Sequence, residues 1–138
     1  MKRRRDQTGN TLIEFAVSLL LISTTFTGAF QFGYSLYIYN RLVNAVREGA
    51  RYASLQPLAS INSDPDLPVA VRKLVVYGDP KPGPDARPAI SGLSEKNVQV
   101  VAGAKTVTVV IRSFQIDGPF STLNLDGRPT VTFPCARK

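Results

Sequence analysis

A single acid at the edge of a long hydrophobic run limits what this chain can become. Glu14 lies in Gly9-Asn10-Thr11-Leu12-Ile13-Glu14-Phe15, and Phe15 to Asn40 then holds 26 residues without a charge. At 1.5 Å per residue, a helix over that run is about 39 Å long, more than the roughly 30 Å of a bilayer core. The run therefore reads as a membrane-spanning helix. Lys2, Arg3, Arg4 and Arg5 precede it, as a signal that holds the N-terminus in the cytoplasm would. A plain anchor has no use for a carboxylate at its head. At mid-bilayer an acid costs about 2.5–3.5 kcal/mol, and less near the interface. A group that compensates Glu14 is expected.

The net charge of +7 looks like a nucleic-acid signal until it is mapped. Residues 1–9 carry +3, residues 10–60 carry +1, and residues 61–138 carry +3 from ten basic and seven acidic side chains. The last segment mixes both signs and shows no basic stripe interleaved with aromatics. No nucleic-acid partner is expected. At 138 residues the chain has room for one small domain and an anchor. Its single cysteine, Cys135, cannot form a bridge within the chain.

Three regions separate along the chain. Residues 1–9 form a basic leader, 10–56 one long helix, and 57–138 a small extracytoplasmic α+β region. Thr8 or Asn10 could cap the helix start. The apolar character of the span is uneven, with Ser18, Ser23, Thr24, Thr25, Thr27, Gly28, Gln31, Gly33 and Ser35 inside it, most of them small or hydroxyl residues. Such residues let helices approach closely and bond across an interface, which favours packing against another helix. Tyr34, Tyr37 and Tyr39 cluster at the far end, as an interfacial aromatic belt would. Beyond them, Leu42, Val43, Val46, Ala50 and Ala53 make one apolar helix face, with Arg41, Arg47, Glu48 and Arg51 largely elsewhere. Glu48 can pair with Arg51 at i,i+3. Pro57 marks the stop, because it disfavours helix at Gln56.

Asp64 or Asp66 could cap a short helix around Pro68–Val76 that ends near Gly78. Pro80, Pro82, Pro84 and Pro88 make the segment from Gly78 to Gly92 a loop. Val98, Val100 and Val101, then Val107, Val109 and Ile111 alternating with Thr106, Thr108, Val110 and Arg112, read as an antiparallel hairpin about Gly103-Ala104. Arg128–Phe133 supplies a third strand. A sheet face must bury itself against another layer, and the amphipathic half of the long helix is the candidate.

Catalysis finds no footing. With no histidine, neither a Ser-His nor a Cys-His relay can form within the chain. Gly78–Gly83 fails the phosphate-loop pattern because Pro84 stands where lysine is required. Asp64 and Asp66 lack the further carboxylates and turn glycine of a calcium loop. No enzyme activity, metal or other cofactor is expected.

A long helix, membrane-embedded first and then packed on a small antiparallel sheet, resembles the type IV pilin-like plan. Gly9 followed by Glu14 resembles a prepilin peptidase site, with cleavage between Gly9 and Asn10. Phe15 directly after the acid resembles the Tad (Flp-type) branch. Asn44-Ala45-Val46-Arg47-Glu48-Gly49-Ala50-Arg51-Tyr52-Ala53 is similar to the hallmark of TadE-like pseudopilins. The likeness covers roughly residues 8–55, and the β-rich remainder matches only in outline. It departs at Asn10, where many pilins carry phenylalanine.

The resemblance implies a minor pseudopilin in the bacterial inner membrane, single-pass, that supports assembly or initiation of a Tad-type pilus. Its implied partners are the prepilin peptidase, other pilins or pseudopilins through the N-terminal helix, and the inner-membrane assembly platform. Glu14 would then meet the new α-amine of Asn10 on a neighbouring subunit. Two rivals remain. Small residues at Thr27-Gly28-Ala29 would suit signal peptidase and ordinary secretion. A membrane-anchored binding module would keep its N-terminus intact. Within the decapeptide, Gly49 costs about 1 kcal/mol relative to alanine in a helix. Close approach of a strand to its backbone would explain it. Arg47 and Arg51 could be surface residues or a partner site.

Overall fold

The uncharged run and the amphipathic stretch beyond it form one unbroken helix, α1 (Gln7–Ser54, 48 residues), in a computed structural model describing residues 7–57, 64–103, 105–118 and 120–135. Thr8 and Asn10 lie within the helix rather than capping it. It closes where the Ser54 hydroxyl donates to the Arg51 carbonyl at 2.8 Å, three residues before Pro57. The part of the leader before residue 7, and residues 136–138, lie outside the described residues.

The second helix, α2 (Asp66–Tyr77), starts two residues before the expected Pro68, with Pro65 rather than an aspartate at its N-cap, and stops at the expected Gly78. Asp64 accepts a bond from the Asp66 amide at 2.9 Å and holds the entry turn. Gly78 ends the helix at φ 76°, in the left-handed region that glycine tolerates best, with its N–H on the Leu74 carbonyl. The proline-rich segment that follows is a loop. It nevertheless returns two apolar side chains, Ile90 and Leu93, into the core.

Five strands follow: β1 (Val98–Ala102), β2 (Thr106–Ile111), β3 (Phe114–Asp117), β4 (Thr122–Leu125) and β5 (Thr130–Pro134). They make two antiparallel sheets, β1-β2-β5 and β3-β4. The β1–β2 hairpin has the expected pairing, with Val100 opposite Val109 and Ala102 opposite Val107. The third strand starts at Thr130 rather than Arg128. Pro129 has no N–H to give a ladder, and the Thr130 hydroxyl turns back to the Gly127 carbonyl at 2.7 Å.

Period-two alternation places Val107, Val109 and Ile111 on one face, all fully buried. Leu42, Val46, Ala50 and Ala53 of α1 are fully buried against the same core, as are Val75 and Val76 of α2. Val43, on the flank of the expected apolar face, is half-buried. The arrangement is α+β: a long N-terminal helix packed against small antiparallel sheets. The cover over the three-stranded sheet has two helices, not α1 alone.

Ser113 takes φ 52°, and the chain there turns out of β2 into β3. Asn97 braces this bend, donating to the carbonyls of Arg112 at 3.2 Å and Ser113 at 2.9 Å. Cys135 packs half-buried against the core edge, and loss of water around it pushes its thiol pKa upward.

Candidate assembly site on the long helix

The two halves of α1 live in different surroundings. From Gly9 to Phe26 every residue is exposed, including Leu12, Phe15, Leu20 and Ile22. This is one helix long and apolar enough to cross a membrane, with a best-window mean hydropathy of 1.7 and none of that window buried. The core helix of a water-soluble protein would be covered by its own chain, and this one is not. From Tyr34 onward the folded domain covers one side: Tyr34, Ile38 and Tyr39 pack on the core. Gln31 also touches the domain, so only residues before it can be free on every side. Two of the three tyrosines are therefore packing residues. Tyr37 alone is exposed, beneath the Arg41 guanidinium at 5.8 Å from its ring centre.

Glu14 is exposed near the head of the exposed, apolar half, and Phe15 beside it is 66% exposed. Among the described residues Glu14 has no hydrogen bond or ion pair. Gly9 and Asn10 lie in the first turns of α1, exposed, and a side chain at Gly9 would meet nothing within 4 Å. The Gly9–Asn10 bond and Glu14 thus share one accessible helix end, about one turn apart.

The span's polar residues are satisfied within the chain more than expected. Thr24 donates to the carbonyls of Leu20 and Leu21, both at 3.0 Å, and Thr25 to Leu21 at 2.8 Å. These hydroxyls bond their own helix and require no partner helix. Gln31 reaches the β3–β4 hairpin instead. Its amide nitrogen donates to the Ser121 carbonyl and hydroxyl, both at 3.0 Å, and its oxygen accepts from the Phe120 amide at 3.2 Å. A Cβ on Gly118 would collide with that Gln31 amide. Gly118→Ala is therefore expected to push the Gln31 amide aside and release the hairpin tip, speeding amide exchange at Phe120 while leaving β2 protected. Each lost bond is worth about 0.5–1.5 kcal/mol. Unchanged exchange at Phe120 would mean that Gln31 does not hold the tip.

The decapeptide splits by face. Gly49 and Ala50 point inward, Tyr52 is half-buried, and Arg47, Glu48 and Arg51 are exposed. Glu48 and Arg51 form no ion pair with each other. The close approach at Gly49 comes from α2, not from a strand. A Cβ there would run into Val75 and lie 3.6 Å from Val71. Arg47 lines a surface groove with Tyr39, Val43 and Arg128.

Sequence reasoning missed the β3–β4 hairpin and its hold on Gln31. A signal was present in the alternation of Phe114 and Ile116 with Gln115 and Asp117, followed by Gly118-Pro119. Among the described residues no cluster of three or more His, Cys, Asp or Glu side chains could hold a metal ion.

Residues 9–51 match the family model described as TadE-like protein. No curated protein and no solved structure matches the chain. The matched segment is α1 from its first turn to Arg51, and it holds Glu14, Gly49 and the polar contacts of the span.

Proposed function

We propose that this chain, TadE-like over residues 9–51, is a minor pseudopilin of a Tad-type pilus system. It sits in the inner membrane with its N-terminus cytoplasmic and its β-rich domain outside. Prepilin peptidase cuts between Gly9 and Asn10, and the processed protein joins other pilins or pseudopilins through α1 at the assembly platform. The observation that carries the reading is the pairing of an exposed apolar half-helix, headed by Glu14, with a second half locked into a folded domain. A helix built this way has one free face over its whole membrane length, available to other helices.

The chemistry of Glu14 follows. Cleavage creates an α-amine at Asn10. On a neighbouring subunit that ammonium compensates Glu14, which is the condition for keeping either charge in an apolar place. The helical start at Gln7 adds a requirement. The peptidase must unwind the first turn to reach the bond, and glycine at that point weakens the helix by about 1 kcal/mol relative to alanine.

N-terminal sequencing of the mature protein, made with and without a prepilin peptidase, tests the reading. A peptidase-dependent start at Asn10 is expected. A start at Phe30 would assign the chain to ordinary secretion, and an intact leader would make it a simple membrane anchor.

A further inference from the structure

We propose that the tip of the β3–β4 hairpin is a second membrane contact, with Phe120 seated in the headgroup region of the bilayer that α1 enters. This rests on the membrane-anchored reading above. Gln31 locks the tip to α1 through three hydrogen bonds, so the tip stands at the level of residue 31. The path along α1 from Glu14 to Gln31 is about 26 Å, against roughly 30 Å for a bilayer core. With Glu14 at one edge of that core, Gln31 and the tip fall at the other.

The chemistry of the tip suits that level. Phe120 is 64% exposed, while the hairpin's other aromatic, Phe114, is buried. Phe30 and Phe32, on either side of Gln31 in α1, are exposed too. Turn backbone ordinarily belongs in water, because its N–H and C=O groups lack partners. Here three of the described turn groups have them. The Gly118 amide bonds the Ser121 carbonyl at 3.0 Å, and Gln31 takes up the Phe120 amide and the same Ser121 carbonyl. The one amide side chain in this part of the span and the turn thus satisfy each other. Asp117 sets the limit of depth. It is exposed, opposite Thr122 and next to the tip, and its charge keeps the hairpin at the interface rather than in the core.

The test uses the full chain with Cys135→Ser, reconstituted in phosphatidylcholine–phosphatidylglycerol vesicles. An environment-sensitive fluorophore is placed on Phe120→Cys, Ile22→Cys or Gln115→Cys in turn. Quenching is read from lipids spin-labelled near the headgroup or deep in the acyl chain, and from aqueous iodide. The expected result at 120 is a blue shift with quenching by the shallow lipid label. Position 22 is quenched by the deep label and position 115 only by iodide. Emission at 120 matching that at 115, with 22 still quenched by lipid, overturns the contact and leaves the membrane span standing. A label at 120 shielded from iodide yet untouched by lipid labels points to a second copy of the chain and also overturns it. Loss of lipid quenching at 22 removes the membrane reading itself, and this inference with it.

Discussion

Gly49→Leu is expected to destabilise the globular domain strongly while leaving the exposed half of α1 helical. The reason is the crossing of α1 and α2. Val75 is already in the way of a Cβ at position 49, and Val71 lies 3.6 Å from it. Both valines are almost completely buried in the core shared with Val107 and Ile111, so neither has space to retreat into. Overpacking a filled core by a few methylene groups costs about 1–3 kcal/mol and sometimes more. Leucine also branches toward α2, and we expect a loss of about 3 kcal/mol or more, a large part of the 5–15 kcal/mol typical of a domain. Gly49→Ala sets two effects against each other. Alanine favours the helix by about 1 kcal/mol, but its Cβ still displaces a stiff β-branched side chain. A net loss of about 1 kcal/mol is expected. Denaturant melts in detergent, followed by near-ultraviolet circular dichroism of the core tyrosines, give both numbers. A leucine variant as stable as the parent would show that the helices do not cross at Gly49.

Glu14→Ala is expected to prevent association of processed subunits while cleavage after Gly9 continues. In the isolated chain the carboxylate is exposed, so its removal leaves the fold untouched. In an assembly the loss is asymmetric: the Asn10 ammonium of the neighbour remains, buried without its partner. Removing one member of a buried ion pair costs about 3–5 kcal/mol. At about 1.4 kcal/mol per tenfold, subunit affinity falls by roughly two to three and a half orders of magnitude. Glu14→Gln keeps the shape and loses the charge, and is expected to fail nearly as badly. Site-directed crosslinking of processed protein in membranes measures association, and sequencing of the same material checks the Asn10 start. Pili and crosslinks at parental levels in both variants would sink the charge-pairing mechanism even if the processing site is correct.

Much of this molecule was legible along the chain because it is locally encoded. Twenty-six uncharged residues mark a helix long and apolar enough to cross a membrane. Leu42, Val46, Ala50 and Ala53 mark a buried face through the helical period alone, and the valines of β2 do so through alternation. Gly78 ends α2 for a reason carried by its own backbone. Residues whose meaning lies in a distant neighbour were read less well. Gly49 has an evident need for space, but a helix rather than a strand takes that space. Tyr34 and Tyr39 have the composition of a membrane belt, and the domain's own core claims them. Ile90 and Leu93 sit in a proline-rich loop that no periodicity marks as core.

Gln31 shows where the division falls. The sequence by itself determined that Gln31 stands in an apolar run and that Glu14 stands at the head of the same run, with a cost that some partner must offset. Only the tertiary structure decided that the partner of Gln31 is the turn of a hairpin about ninety residues away, while Glu14 finds none among the described residues of its own chain. The physical reason is range. Helix, alternation and charge placement act over a few residues and leave a pattern in the chain. A hydrogen bond between residue 31 and residue 121 depends on where β3 leaves the sheet, and that direction is set at Ser113 by packing and by Asn97.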